Sequence, residues 1–404
     1  MNDTVRSGIG FSSVRDGFPG VRKWTYFETS AWGLVPRAAR DALNQCLDLQ
    51  MDGDFDKDAE GETIEQVRAK FAALVRAAPD EIAIVKNVSE GVNAVVASLL
   101  WRAGDNAVIC GDVDHPNCIY ALYNVRDRHG VEVRSIPARR FRIPVAEIIA
   151  AIDLRTRIVL APSVPFSTGL RTDLRTIGSA CRERGVLFFV DGAQSVGALD
   201  MDVNAEKIDA LAVGSSKYLC GPHGLGFLYV RCESAEQMQP AYLARYGINL
   251  ASLHEGDAGG ERYRLKPAAR RFDIGSYNYA AARAVAVSLD LLLACGTRAI
   301  EQHVLMLAHR VARELQTLGL PLLGGEPGPH LSQVVLVGGA GGKYDSAQTL
   351  RSLYEHLHRN HVKLSLRRGR LRFSFHFYNS EQEVENAVSL IGDWVQQVAG
   401  RRSA

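Results

Sequence analysis

Val186-Leu-Phe-Phe-Val-Asp191-Gly-Ala-Gln194 and Ser215-Ser-Lys217-Tyr-Leu-Cys-Gly221-Pro-His-Gly-Leu-Gly226, with Lys217 26 residues beyond Asp191, decide how this chain reads. The first is an unbroken apolar run ending in a carboxylate, as a strand buried on both faces would be. Working outward from it, strand-like runs at Glu81–Lys86, Ala107–Cys110, Thr156–Ala161, Val186–Val190 and Ala210–Val213 alternate with helix-like stretches at Ser89–Leu100, Asn117–Arg128 and Leu174–Arg184. Strands separated by helices of this length predict βαβ units in a mostly parallel sheet. Gly226–Val230 follows too closely for a crossover helix, so it is expected to run antiparallel. Ligands of such sheets bind beyond the carboxyl ends of the strands, where Asp191 stands.

Lys217 and Asp191 supply the two groups that pyridoxal phosphate needs: an amine to capture its aldehyde and a carboxylate to keep its pyridine nitrogen protonated. Gln194 is placed to hold the ring's phenolic oxygen. Asn87-Val88-Ser89-Glu90-Gly91 reads as a helix start whose exposed amides and dipole favour a phosphate, with Val88 and Ser89 as its contacts. Ser215 and Ser216 are further phosphate candidates. His115 lies in Asp114-His-Pro-Asn117, a run that resembles the one whose histidine stacks on the cofactor ring in the class V aminotransferase family, which implies that role and a part in moving protons for His115.

These runs resemble the class V aminotransferase family: cysteine desulfurases, selenocysteine lyases, isopenicillin-N-epimerase-like proteins and kynureninases. The resemblance covers roughly residues 20 to 400. It implies the fold-type I architecture of pyridoxal-phosphate enzymes. A large domain over 21–278, with a mostly parallel seven-stranded sheet, would precede a smaller α+β domain over 279–404, with residues 1–20 packing on the latter. Arg271-Phe-Asp-Ile-Gly-Ser276 resembles the run whose hydroxyl reaches the neighbouring subunit's phosphate, which implies a homodimer with shared sites. Arg370-Leu-Arg372-Phe-Ser-Phe-His376-Phe-Tyr378-Asn379 resembles the run whose arginine takes the substrate carboxylate, which assigns that role to Arg372. Ala31 and Trp32 are expected to line the same pocket.

Three departures narrow the chemistry. The histidine that usually precedes the lysine is Ser216. Val164, in Pro162–Gly169, stands where many members place a hydrogen-bonding side chain. Lys363–Arg370 is short and has no cysteine where desulfurases carry a mobile loop with a nucleophilic thiol. A persulfide route is therefore not expected. The resemblance instead implies a lyase for β-substituted amino acids, cleaving the C–S bond of a cysteine conjugate. Epimerisation, oxidative decarboxylation, transamination and a cofactor-binding sensor are the alternatives.

Bulk properties fit a globular enzyme. Of 404 residues, 47% are hydrophobic and 23% charged, and the formal charge of +2 gives no net field for nucleic acid. No 18-residue apolar run predicts a membrane span. Arginines and lysines gather at 262–271 and 367–372, which reads mostly as solvated surface. The seven cysteines lack both disulfide and metal-ligand spacing, so no metal and a reducing cytoplasm are expected. The polar stretch Glu233–Arg271, with Glu255-Gly-Asp-Ala-Gly-Gly-Glu261, is expected to form a long loop over the active site.

Overall fold

A computed structural model describes residues 10–249 and 263–403. Its centre is a seven-stranded sheet. In spatial order the strands are Ile82–Val85, Gly226–Val230, Ala210–Gly214, Leu187–Asp191, Thr156–Pro162, Asn106–Ile109 and Glu132–Ser135. Gly226–Val230 pairs antiparallel with both neighbours, and every other pairing is parallel. The expected mostly parallel sheet is therefore present, with the strand that had no room for a crossover running the other way. Glu132–Ser135 is the strand the apolar runs did not announce. It is an edge strand of exposed and half-buried residues, so its sequence need not be apolar.

Central strands such as Gly226–Val230 and Asn106–Ile109 are buried throughout, because helices cover both faces of the sheet. Those helices start where polar caps allow. Asn87 accepts from the Glu90 amide at 3.0 Å to open Val88–Ser98. His115 and then Pro116 open Pro116–His129, and Gly130 closes it in the left-handed conformation, φ 66°.

A second sheet of three antiparallel strands, Val334–Val337, Arg370–Ser374 and Ser365–Arg367, lies in the C-terminal part. The helix Glu381–Ser403 packs against Ala347–Arg359 and buries Val384, Ala387, Ile391 and Trp394, one apolar face at helical spacing. The N-terminal segment joins this half. Arg15 pairs with Glu383 at 2.9 Å, and Thr25–Tyr26 runs parallel to Val362–Lys363. The helix Tyr279–Cys295 packs on Arg37–Asp52 and Lys57–Val75.

Glu255–Glu261 lies outside the described residues. Its flanks, Ile248–Asn249 and Arg264–Leu265, pair as a short antiparallel ribbon. Among the described residues, no single helix is long and apolar enough to cross a membrane. All seven cysteines are free.

Candidate active site

The carboxyl ends of three adjacent strands, at Pro162, Asp191 and Gly214, open into a cavity of about 230 Å³. Lys217, Asp191, Gln194, His115, Ser89, Val88 and Ser216 all line it. Residues more than a hundred positions apart thus meet because the sheet places its strand ends side by side.

Lys217 is half-buried, and its amine makes no hydrogen bond among the described residues. Burial lowers its pKa; Asp191 opposes this and Arg372 adds to it. The amine is thus biased toward the neutral, nucleophilic form. Its backbone is clamped by the N-terminal segment: Gly33 donates its amide to the Ser216 carbonyl at 2.8 Å. A Cβ on Gly33 would fall 1.9 Å from the Lys217 carbonyl oxygen. On the other side, the His376 ring donates from Nε2 to the Tyr218 carbonyl at 2.8 Å, while its Nδ1 accepts from the Phe377 amide at 2.8 Å. Burial keeps this imidazole neutral, with its pKa pushed down to about 3.

Asp191 fixes its carboxylate with the Ala193 amide on Oδ1 at 2.8 Å, and Cys118 Sγ lies 3.7 Å from Oδ2. Asp191 and Lys217 both line the cavity and interact electrostatically, without forming a salt bridge. Gln194 donates from Nε2 to the Ser30 carbonyl at 3.1 Å, and its Oε1 is buried without a partner. Ser89 Oγ accepts from Asn117 Nδ2 at 2.5 Å, which leaves the hydroxyl proton free to donate. His115 caps its helix through Nδ1 and meets the Phe166 ring edge-on at 5.2 Å. Burial, reinforced by Lys217 and opposed by Asp191, lowers its pKa, so it is a neutral imidazole.

Arg372 sits on Arg370–Ser374, 2% exposed. No carboxylate pairs with it among the described residues. Its hydrogen bonds, to the carbonyl of cavity-lining Phe166 and to Ser365 Oγ, are both long at 3.4 Å, and its Nε has no partner. Burial pushes its pKa down to about 10. Arg372 is not itself among the residues that line the cavity; it adjoins the cavity through Phe166, with donors still unused.

Other expected residues are placed elsewhere. Ser215 is fully buried, and its hydroxyl is given to the Pro222 and Leu225 carbonyls of the glycine-rich turn, so it braces that turn instead of facing the cavity. Ala31 and Trp32 do not line the cavity. Trp32 is 53% exposed, with its ring edge-on to His223 at 4.6 Å. Ser276 is also absent from the lining, and it holds a left-handed φ of 48°. In its run, Asp273 forms a buried ion pair with Arg68 at 2.8 Å, and Arg271 binds the Ala235 carbonyl, so both are structural. Asp114, Asn117, Cys118 and Phe166 line the cavity without having been singled out for roles there. Their signal was proximity to His115 and Val164.

A family model described as Aminotransferase class-V matches residues 51–387. The chain belongs to the class V aminotransferase family. It is 29% identical over 379 residues to the uncharacterized aminotransferase YcbU of Bacillus subtilis, covering 93% of this chain and 96% of that protein. It is 28% identical over 340 residues to isopenicillin N epimerase of Streptomyces clavuligerus, covering 81% and 83%. An apo cysteine desulfurase from Thermococcus onnurineus NA1 superposes with a TM-score of 0.82 at 22% identity, over 96% of this chain and 98% of that one. The cystine C-S lyase C-DES, in complex with cysteine persulfide, gives 0.82 at 23% identity, over 93% and 99%. At these identities the solved structures establish the fold alone. This class V aminotransferase relative is a pyridoxal-phosphate-dependent enzyme. The cavity fits the cofactor, offering an unbonded amine, a fixed carboxylate, an unpartnered Gln194 oxygen and a free hydroxyl at a helix start.

Proposed function

We propose that this enzyme is a lyase that cleaves the C–S bond of a cysteine S-conjugate. Water is consumed, and the products are a thiol, pyruvate and ammonia. The observation that carries the reading is the distribution of thiols. The stretch that holds a nucleophilic cysteine in desulfurases is here a tight hairpin, Ser365–Arg367 turning through Arg368 and Gly369 into Arg370–Ser374. Cys118, the one cysteine lining the cavity, is buried beside Asp191, and burial followed by the charges of Asp114 and Asp191 pushes its pKa well up. It is an inert thiol, so the sulfur leaves with its own substituent and is not captured by the protein.

When bound, pyridoxal phosphate supplies an electron sink that acidifies the Cα–H of an attached amino acid. Lys217 and Asp191 would hold it, with Ser89 and the Val88 amide at the phosphate. Arg372 would take the α-carboxylate with a planar pair of donors and so fix the rotation about Cα. The Lys217 amine would act as the base that takes the Cα proton. Neutral His115 can relay a proton toward the departing sulfur.

The homodimer belongs to this proposal. Ser276, on a turn away from this cavity, would serve the partner's phosphate. A reducing cytoplasmic setting, which seven unpaired cysteines suit, belongs to it as well. Incubation of the cofactor-loaded enzyme with a panel of cysteine S-conjugates should give pyruvate and thiol in equal amounts. If neither is released from any conjugate, the proposal fails. Epimerisation is the second reading, favoured by a neutral His115 lining the same cavity as Lys217. It predicts deuterium uptake at Cα without elimination.

A further inference from the structure

Asp114 precedes His115 and is 5% exposed. One oxygen, Oδ1, accepts from the His115 amide at 2.6 Å. The other, Oδ2, is buried without a hydrogen-bond partner. Carboxylate oxygens of Asp114 and Asp191 and the sulfur of Cys118 lie within 4.8 Å of one another. Two ionised carboxylates so close, with little water between them, are strongly disfavoured, and one proton relieves the conflict.

The surroundings decide which acid keeps it. Asp191 has a backbone amide on one oxygen and the Cys118 thiol near the other. Asp114 has a single amide and an empty second oxygen. The other ionisable groups around Asp114 are Cys118 on the helix Pro116–His129, Asp191 at its strand end, neighbouring His115, and Cys110 after Asn106–Ile109. None is a fixed cation. Lys217 lines the same cavity and interacts with Asp191, and it is not among the groups that shift Asp114.

We propose that Asp114 is a neutral carboxylic acid and a positioning residue, its Oδ2–H kept at the Asp191 side so that this end of the cavity carries one negative charge, on Asp191. The inference rests on Asp191 facing the cofactor's ring nitrogen. Burial, then the charge of Asp191, moves the Asp114 carboxyl well above the ordinary range, and the His115 amide pulls it only partly back. A second carboxylate would divide the ring proton's partners and add a charge without a counter-ion. A protonated acid instead stabilises the charge on Asp191.

The test is infrared spectroscopy of the cofactor-loaded protein at neutral pH, joined to a pH titration of the bound cofactor's visible absorbance. Wild type should show the carbonyl stretch of a protonated carboxyl that Asp114→Asn removes. That variant, a neutral isostere, should keep the chromophore's titration midpoint within about 0.3 unit and cofactor affinity within about threefold. If the band does not depend on Asp114, or the Asn variant moves the midpoint by about one unit or more, Asp114 is charged and the proposal is overturned. Should the Asn variant fail to fold, Asp114→Glu retains the carboxyl and must shift the band's frequency; an unmoved band overturns the proposal equally. Asp191→Asn is the separate control. If it leaves the chromophore unchanged, the Asp191 assignment fails, whatever Asp114 does.

Discussion

Replacing Gly33 with alanine should displace Lys217 from a distance, without altering any side chain that lines the cavity. The added Cβ would sit 1.9 Å from the Lys217 carbonyl oxygen and 2.9 Å from its carbonyl carbon. Ordinary contact begins at 3.4 Å, so two backbones must part by about 1.5 Å, and backbone atoms have no rotamer to change. Parting them also breaks the 2.8 Å bond from the Gly33 amide to the Ser216 carbonyl. Overpacking of this kind costs about 1–3 kcal/mol, and the lost bond adds about 1 kcal/mol. A shift of about an ångström at the amine should lower kcat roughly 100-fold. The assay is thermal unfolding with the visible absorbance of the lysine-bound cofactor and turnover. Gly61→Ala, in a helix where a Cβ meets nothing within 4 Å, should instead leave turnover intact. If Gly33→Ala unfolds at the wild-type temperature with an unchanged spectrum and turnover within about twofold, the clamp is not what holds Lys217.

Lys217→Ala should abolish both the covalent cofactor absorbance and turnover; unchanged turnover would refute its assignment. Arg372→Ala should raise KM for the amino acid roughly 10- to 100-fold, and Arg372→Lys should recover little of it, because an ammonium cannot form the planar pair of bonds. The same Arg372→Ala change should leave the unfolding temperature unchanged or higher, since the buried charge is unpaired and destabilising at every pH below about 10. Ser89→Ala should weaken cofactor binding about tenfold, whereas Ser215→Ala should lower stability by about 1–3 kcal/mol with cofactor affinity nearly unchanged, both read by titration and urea melts. His376 is neutral when folded, with its pKa down to about 3, so its contribution is complete above the ordinary value near 6.5 and is lost as pH falls toward 3. Between pH 7 and pH 5 that loss should be about 2 kcal/mol, and His376→Gln should flatten this part of the urea-midpoint profile.

What could be read from the chain follows from what each residue must satisfy locally. Asp191 and Lys217 were legible because each adjoins a buried apolar strand or a glycine-rich turn, and their spacing is unusual. Gly226–Val230 betrayed its direction by having no room for a crossover. Gly33 gave no such sign, because the carbonyl that forbids its Cβ lies more than 180 residues away. Asp114 looked like ordinary punctuation before a helix; its burial against Asp191 depends on three strand ends converging. Ser215 and Ser216 are indistinguishable as adjacent letters, yet one points into the turn and the other into the cavity. Glu132–Ser135 was missed because an edge strand has no need of a greasy sequence.

The guanidinium of Arg372 is buried, with no carboxylate in a salt bridge to it among the described residues, so its charge is a cost that a bound acid would offset. Any small acid that docks there removes an electrostatic grievance before chemistry begins, so even unreactive amino acids should raise the melting temperature. If the proposed C–S cleavage is the reaction, pyruvate, which keeps the carboxylate of its parent conjugate, should by the same logic linger after the thiol has gone. Turnover would then be throttled at the exit, with the α-keto acid acting as a brake on its own production.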